Sequence, residues 1–339
     1  MNTISSNFSL KNYNTFNIDV KSDKFISINT EDQLLDFLPK NKDEDNIFFL
    51  GGGSNVLFSK DYKGTIVHIS IKGKKIIEES NDNIIIEVNS GENWHEFVLF
   101  CVNSGYGGVE NLSLIPGNVG TSPIQNIGAY GVELKDVFDS CIVVDKLSLK
   151  SKQLNLTDCR FDYRDSIFKN EAKGKYIITE VVFKLTKKNH ELNTSYGAIN
   201  TVLLEKGITN PSLKDVSNAV IKIRQEKLPD PNVIGNSGSF FKNPVVSKQE
   251  FDMLQARFED IPFYPISENE IKIPAGWLIE QAGFKGKRFG DAGVHDRQAL
   301  VLVNHGNATG EEIWLLAKKI QQEISRIFQV TIEPEVNLI

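Results

Sequence analysis

The sequence predicts an α+β fold, and three features of the chain support this prediction. Short apolar segments typical of strands alternate with amphipathic segments typical of helices. Two glycine-rich runs, residues 51–55 and 115–131, interrupt this alternation. The sequence Leu-Pro-Asp-Pro at 228–231 predicts a domain boundary, because two prolines so close together cannot continue a helix. We therefore expect residues 229–339 to form a separate part of the chain.

The first 105 residues predict two helices and three strands. Thr30 and Gln33 have the spacing of a capping box at the start of a helix, which Pro39 is expected to end. A second helix is predicted from Glu92 to Val102, with residues 103–105 as its C-cap. Its apolar face comprises Trp94, Phe97, Val98 and Cys101. The predicted strands are residues 48–50, 66–71 and 84–88.

The remaining chain predicts two further strands and three helices. Residues 140–145 and 176–185 are rich in β-branched side chains, which favours strands. A helix is predicted from Lys214 to Glu226, ahead of the two prolines. Capping boxes that begin at Ser247 and Thr309 predict two more helices, the second of which extends to about Phe328. Its expected buried face comprises Ile313, Leu316, Ile320, Ile324 and Ile327.

Composition excludes several classes of protein. The 339-residue chain has a formal charge of −6, which argues against a general nucleic-acid binder. No apolar run reaches membrane-spanning length, and the first seven residues lack the features of a signal peptide. The three cysteines and five histidines form no metal-ligand pattern, so we expect no metal. We expect a cytoplasmic monomer, because few cysteines fit a reducing compartment and no exposed apolar stripe stands out.

The two glycine-rich runs predict a ligand with more than one phosphate. Glycine adds no side chain to a core, and its backbone N–H groups can approach phosphate closely. Neither run has the spacing of a Rossmann fingerprint or a P-loop. A plain tight turn at 51–53 and a surface loop at 115–131 remain alternatives. The apolar residues within the second run argue against a solvated loop; they are Ile115, Val119, Ile124 and Ile127.

Both runs resemble known flavin-binding segments. Residues 49–57, Phe-Leu-Gly-Gly-Gly-Ser-Asn-Val-Leu, resemble the first phosphate loop of the FAD domain of the p-cresol methylhydroxylase and vanillyl-alcohol oxidase type. Residues 115–131 resemble the second flavin loop in the form found in the UDP-N-acetylenolpyruvoylglucosamine reductase family. Further segments similar to that family extend along the whole chain, at 159–169, 235–244, 274–283, 290–295 and 332–336.

This resemblance implies an FAD enzyme that uses NADPH to reduce an enolpyruvyl ether of a UDP-sugar to a lactyl ether. It implies a two-part FAD region, residues 1–72 and 73–228, followed by a substrate domain. The flavin loops contain neither histidine nor cysteine, so we expect non-covalent FAD. The implied cofactor-binding residues are Gly51, Gly52, Gly53, Ser54, Asn55, Pro116, Gly117, Gly120, Thr121, Ser122, Gln125, Asn126, Gly128, Ala129, Tyr130, Arg224 and Gln298.

The reaction explains three candidate catalytic residues. Hydride addition to C3 leaves negative charge at C2 that spreads into the adjacent carboxylate, and cationic or hydrogen-bonding groups stabilise such charge. Arg164 can supply a guanidinium fork, and a protonated Glu335 can donate a hydrogen bond. The resemblance assigns to Ser239 the proton that C2 receives. Each residue has a simpler alternative: an ion pair for Arg164, a turn cap for Ser239 and a solvated carboxylate for Glu335.

The resemblance also implies a set of substrate-binding residues, which are Tyr163, Tyr196, Lys227, Asn243 and Tyr264. Tyr196 and the segment around Tyr264 are typical of the larger form of the family. An aromatic at the rim of a core is the alternative for each tyrosine. One departure is Asn337, which stands where the family usually has an arginine. It leaves the charge balance around Glu335 open.

Two other functions are compatible with parts of the sequence. An alcohol or aldonolactone oxidase with the same flavin fold would explain the two glycine runs, but not the segments at 235–244 and 332–336. A UDP-sugar-binding protein without redox activity would not need Arg164, Ser239 and Glu335 together. Bound flavin that loses its absorbance on addition of NADPH would distinguish an oxidoreductase from a binding protein.

Overall fold

A computed structural model describes residues 3–42 and 44–339 of the chain. Their contacts form two compact units. The first unit comprises residues 3–8, 23–52 and 63–224, and the second comprises 9–22, 53–62 and 225–339. Met1, Asn2 and Asp43 lie outside the described residues. Met1 and Asn2 belong to the first seven residues, for which no signal peptide is expected, so that expectation lies partly outside the described residues. The division into three domains stays a prediction.

A four-stranded sheet forms one half of the first unit. Its strand order is β1-β2-β5-β3, and β3 pairs parallel with β5. These elements are β1 (Ser5–Ser9), β2 (Lys21–Ile28), α1 (Glu31–Lys40), β3 (Ile47–Leu50) and β5 (Tyr62–Ile69). Thr30 caps α1, but the Gln33 side chain accepts from Asn29 N rather than completing the predicted capping box. The predicted end at Pro39 is wrong by one residue, and the strand predicted to extend to Ile71 ends at Ile69.

A five-stranded antiparallel sheet in the order β11-β10-β12-β7-β6 forms the other half. Helix α2 (Trp94–Asn103) packs near it, with Phe97 and Phe183 ring centroids 4.6 Å apart. All four residues of its predicted apolar face are buried, which confirms that prediction. The strands are β6 (Lys74–Glu79), β7 (Asn83–Asn89), β10 (Phe138–Asp145), β11 (Ser151–Asn155) and β12 (Tyr176–Thr186). The other elements are β8 (Gly128–Ala129), β9 (Val132–Glu133), α3 (Leu156–Cys159), α4 (Ile199–Glu205) and α5 (Leu213–Lys227).

The second unit contains a four-stranded sheet, a three-stranded sheet, the two-stranded pair of β20 with β4, and a long C-terminal helix. The strand orders are β13-β19-β18-β17 and β14-β16-β15. The strands are β4 (Val56–Leu57), β13 (Gly235–Ser239), β14 (Val245–Ser247), β15 (Tyr264–Pro265), β16 (Glu270–Lys272), β17 (Arg288–Phe289), β18 (Ala292–Val294), β19 (Val301–Asn304) and β20 (Asn337–Leu338). The helices are α6 (Lys248–Gln255), α7 (Ala275–Gln281) and α8 (Gly310–Phe328).

Local sequence patterns account for the ends of these helices. The predicted capping boxes at Ser247 and Thr309 are confirmed, since each hydroxyl accepts from the backbone N–H three residues later. Helix α8 buries four of the five predicted residues fully, and Ile327 partly. Strand β20 pairs parallel with β4, which brings the C-terminal residues against residues 56–57. Among the described residues, no helix is both long and apolar enough to cross a bilayer.

Candidate active site

In the first unit, the first two residues of one glycine-rich run contact the other run. We call residues 51–55 the first glycine loop and residues 115–131 the second glycine loop. A Cβ atom on Gly51 would lie 2.5 Å from Thr121 Cγ2, and one on Gly52 would lie 2.9 Å from Asn118 Oδ1. Real Cβ atoms do not approach other atoms so closely, so glycine is needed for this contact. The first loop begins directly after β3, so this strand fixes the position of its first two residues.

The contact between Gly51 and Thr121 can be tested with one substitution that weakens FAD binding and a second that should restore it. Gly51→Ala should lower the affinity for FAD by about tenfold or more, because the new methyl group pushes the two loops apart. The clash involves only the Thr121 methyl carbon, which serine lacks. The double variant G51A/T121S should therefore recover most of the affinity of Thr121→Ser alone, as measured by titration of the apoprotein with FAD. An unrescued double variant would show that the loop contact is not what the substitution disturbs.

The second glycine loop contains backbone strain that buried side chains hold in place. Asn126 has φ +44° and Tyr130 has φ +51°, a region that residues with a Cβ adopt at a cost of about 1–3 kcal/mol. Asn126 is fully buried, and its amide donates to Glu133 Oε2 and to Asp162 O, both at 3.1 Å. Such strain persists only where the surroundings determine it, and it is enriched at ligand sites.

Several predicted cofactor residues of this loop have defined positions. Ser122 is buried, and its hydroxyl donates to Val119 O at 2.6 Å, so it stabilises the loop itself. Thr121 Oγ1 donates to Asn118 O at 2.8 Å. Ile124, one of the apolar residues that argue against a solvated loop, is 37% exposed and lines a cavity, so it does not belong to the core.

Arg164 is fixed against the second glycine loop. Its guanidinium donates to Gly128 O at 2.5 Å and to Asn126 O at 3.5 Å. A Cβ atom on Gly128 would lie 2.9 Å from Arg164 Nη1, so glycine leaves the space that the guanidinium occupies. Arg164 has φ +54°, and its guanidinium carbon is 5.4 Å from the centroid of the Tyr163 ring. The main function of these contacts is to orient the guanidinium.

A second arginine lies in the same region. Arg224, on α5, has a buried Nε with no hydrogen-bond partner among the described residues. Burial lowers the pKa of Arg224; the nearby Tyr130 opposes this shift, and Arg164 adds to it. Burial raises the pKa of Tyr130, and Tyr196 adds to that effect. Four predicted residues, two cations and two phenols, are therefore grouped together. An unpaired buried donor beside a second cation fits an anionic ligand.

His95 was not predicted as a site residue, yet it supports the second glycine loop. Its Nδ1 accepts from the N–H of Leu114 at 2.9 Å, and Leu114 has φ +60° just before the loop begins. Burial lowers the pKa of His95; the Glu96 carboxylate opposes the shift, and Arg224 adds to it. The neutral form is thus favoured, and it leaves Nδ1 as an acceptor. No sequence pattern indicated this contact.

A cavity of about 350 Å³ lies beside the meeting point of the two loops. Gly51, Gly120 and Thr121 form part of its wall. The hydroxyl of Ser90, also in the wall, is buried without a hydrogen-bond partner among the described residues. The other lining residues were not predicted. Among them, Lys146 directly follows β10 and Ile178 lies in β12, and the pairing of these two strands places both in one wall. The cavity and the adjoining loops fit the adenylate half and the pyrophosphate of FAD.

In the second unit, a short backbone ladder fixes Ser239 and Glu335. Ser239 ends β13, and the next residue, Phe240, accepts at its carbonyl from Glu335 N at 2.8 Å. Asn236, which is buried, accepts at Oδ1 from Gly238 N at 2.9 Å and shapes the turn before Ser239. Gly238 has φ +70°, which favours glycine there. The two predicted catalytic residues are therefore close in the backbone.

Asn337 has a structural partner in the first glycine loop. Its N–H and its Nδ2 donate to Asn55 O at 3.1 and 2.9 Å, and Asn55 Nδ2 donates to Glu335 O at 3.2 Å. These bonds tie Asn55 to the segment that carries Glu335. Gly53 has φ +64°, and a Cβ atom there would lie 2.0 Å from Tyr13 O. The loop therefore needs glycine at this position also.

The other predicted residues of the second unit are more dispersed. Asn243 Oδ1 accepts from Ala275 N at 2.9 Å and so caps α7, while Gln298 Oε1 accepts from Leu300 N at 3.3 Å. Tyr264 is 50% exposed on β15, and Lys227 is exposed at the end of α5. Neither of these two has a contact that indicates a ligand. Among the described residues, no group of three histidine, cysteine or acidic side chains could hold a metal.

The matches to known proteins assign the chain to the FAD-dependent oxidoreductases. Residues 23–148 match the family model of the FAD binding domain. Residues 230–339 match the model of the UDP-N-acetylenolpyruvoylglucosamine reductase C-terminal domain. The chain belongs to the UDP-N-acetylenolpyruvoylglucosamine reductase family.

Relatives and one solved structure support this assignment over the whole chain. The reductase of Flavobacterium johnsoniae is 56% identical, with 99% of each chain covered. That of Chromobacterium violaceum is 48% identical, with 96% of each chain covered. The crystal structure of the Thermus caldophilus reductase matches with a TM-score of 0.69 at 19% identity, covering 100% of this chain and 98% of that one. At that identity the structural match supports the fold alone.

Proposed function

We propose that the protein reduces UDP-N-acetylglucosamine enolpyruvate to UDP-N-acetylmuramate with NADPH. The observation that carries the proposal is Arg164, a guanidinium fixed on the carbonyls of the second glycine loop. The full-length similarity to proteins named UDP-N-acetylenolpyruvoylglucosamine reductase supports the choice of substrate. FAD bound in the site would supply the hydride that C3 of the enolpyruvyl group receives, with NADPH as the source of that hydride. We further propose that the protein is a cytoplasmic monomer.

Arg164 stabilises the negative charge that develops on the substrate. After hydride addition, this charge spreads from C2 into the adjacent carboxylate. The guanidinium fork matches the geometry of a carboxylate, and fixed donors cost no reorganisation during the reaction. Gly128 O and Asn126 O hold the plane of the guanidinium in advance. Glu335, in its protonated form, adds one hydrogen bond to the same oxygens.

Ser239 donates the proton that C2 requires. A serine hydroxyl is a weak acid in water, but the enediolate is strongly basic and is held in place. The fixed backbone on both sides of Ser239 supports this role: Gly238 N is bonded to Asn236, and Phe240 N donates to Leu300 O at 2.7 Å. The backbone that carries the hydroxyl is therefore fixed before substrate binds.

The other proposed roles concern binding. The residues proposed to hold FAD are those of the two glycine loops together with Arg224 and Gln298, and the unpaired Nε of Arg224 is the clearest support among the side chains. Tyr163, Tyr196, Lys227, Asn243 and Tyr264 are proposed to bind the sugar nucleotide. NADPH and substrate are proposed to bind in turn, which predicts ping-pong kinetics and inhibition by excess substrate.

The direct experiment is turnover with identification of the product. The purified protein, incubated with NADPH and UDP-N-acetylglucosamine enolpyruvate, should yield a nucleotide heavier by two hydrogens in mass spectrometry. An oxidase of the same fold would instead consume an alcohol and oxygen. A protein that only binds sugar nucleotides would leave both reactants unchanged, and either result would contradict the proposal.

A further inference from the structure

The cavity beside the glycine loops has an unusual distribution of charge. Most of its wall is apolar, with Leu50, Phe49 and Ile178 among the lining residues. Its only charged lining residues within the described chain are Lys146 and Lys173; no carboxylate lines it. Lys173 is exposed at the edge, whereas Lys146 is half-buried. A cation in an apolar cavity is unfavourable unless a ligand compensates its lost hydration.

The position of Lys146 is fixed by its surroundings. It directly follows β10, and its backbone N–H donates to Lys175 O at 3.1 Å. Its Nζ is 5.4 Å from the centroid of the Phe49 ring. Among the described residues, no carboxylate forms an ion pair with it. Burial lowers the pKa of Lys146, which agrees with a desolvated ammonium group. The side chain thus offers a hydrogen-bond donor and a cation to whatever fills the cavity.

The order of the chemical groups in FAD indicates which of these groups lies near Lys146. The glycine loops border the cavity through Gly51, Gly120 and Thr121, and such loops suit a pyrophosphate. The apolar remainder of the cavity then suits the adenosine that follows. Adenine has an aromatic face that attracts cations and ring nitrogens that accept hydrogen bonds.

We infer that Lys146 binds the adenine of FAD and is a specificity-determining residue that favours FAD over flavins without adenosine. This inference rests on the FAD site described above. It concerns affinity and not the chemical step, since Lys146 is assigned no part in hydride or proton transfer. Its expected effect is therefore a change in flavin binding.

The test compares flavins that differ only beyond the pyrophosphate. Apoprotein is titrated with FAD and with riboflavin 5′-pyrophosphate, which keeps both phosphates and lacks adenosine, and flavin fluorescence reports binding. Lys146→Met should weaken FAD binding by about 10- to 30-fold and leave binding of the shorter flavin nearly unchanged. Lys146→Arg, which keeps the charge, should recover part of the affinity. Lys173→Met at the cavity edge is the matched control and should bind FAD like the wild type.

Two results would overturn the inference. One is FAD binding by Lys146→Met that equals that of the wild type. The other is an equal loss for both flavins, which would assign Lys146 to the pyrophosphate or to the fold. Thermal melting of the apoproteins checks folding, and Lys146→Gln supplies a second uncharged variant if the methionine variant is unstable. Failure of the wild type to bind FAD would instead contradict the flavin site itself.

Discussion

Ser239→Ala is expected to separate the two halves of the reaction. NADPH should still reduce the bound FAD at close to the wild-type rate, because no proton from Ser239 is needed for that step. Reoxidation by UDP-N-acetylglucosamine enolpyruvate should slow by about 10²- to 10⁴-fold, the usual contribution of a general acid. Anaerobic stopped-flow absorbance of the flavin measures both rates in one preparation.

Ser237→Ala is the matched control for this prediction. Ser237 lies two residues earlier in β13, and its buried hydroxyl has no hydrogen-bond partner among the described residues. Its removal should leave both half-reactions close to those of the wild type. If Ser239→Ala slows both half-reactions equally, Ser239 has a structural function and not the proposed acid role.

Arg164→Met should have the second largest effect. Loss of a fixed donor to a developing oxyanion typically costs about 10²- to 10³-fold in rate. Reoxidation by the enolpyruvyl substrate should fall by this amount, while the protein stays folded, because the loop retains Asn126 and its bonds to Glu133 and Asp162. The same stopped-flow measurement applies, with the FAD content of each preparation determined from its absorbance.

Arg160→Met provides the comparison within the same segment. Arg160 also has a positive φ, at +45°, but its guanidinium pairs with the exposed Glu171 carboxylate at 2.8 Å. An exposed pair of this kind contributes little to stability, so this variant should react like the wild type. If Arg160→Met slows reoxidation as much as Arg164→Met does, the proposed function of Arg164 is wrong.

Elements with strong local signals could be predicted from the sequence. Helix α8 combines a capping box at Thr309 with a regular apolar face, and its bounds agree with the prediction. Strand β12 is rich in β-branched residues and was predicted to within one residue. The glycine loops could be found because close contacts favour glycine there, with a side chain at Gly51 and with the backbone at Gly53.

Features that depend on distant contacts could not be predicted. Lys146 directly follows β10 and Ile178 lies in β12; both line one cavity because these strands pair, and no periodicity connects the two residues. Ile124 has the apolar side chain typical of a core residue, but it lies in the wall of a cavity. The bond from Leu114 N to His95 and the bonds from Asn337 to Asn55 join separate segments of chain. Such contacts are set by tertiary packing, which a single sequence does not reveal.

The most direct measurement is an anaerobic cycle on the wild-type protein. Purified protein should carry FAD, lose the absorbance of oxidised flavin when NADPH is added, and regain it when UDP-N-acetylglucosamine enolpyruvate follows. Colourless protein that takes up no added FAD would contradict the flavin site, and reduced flavin that the enolpyruvyl substrate does not reoxidise would contradict the proposed reaction.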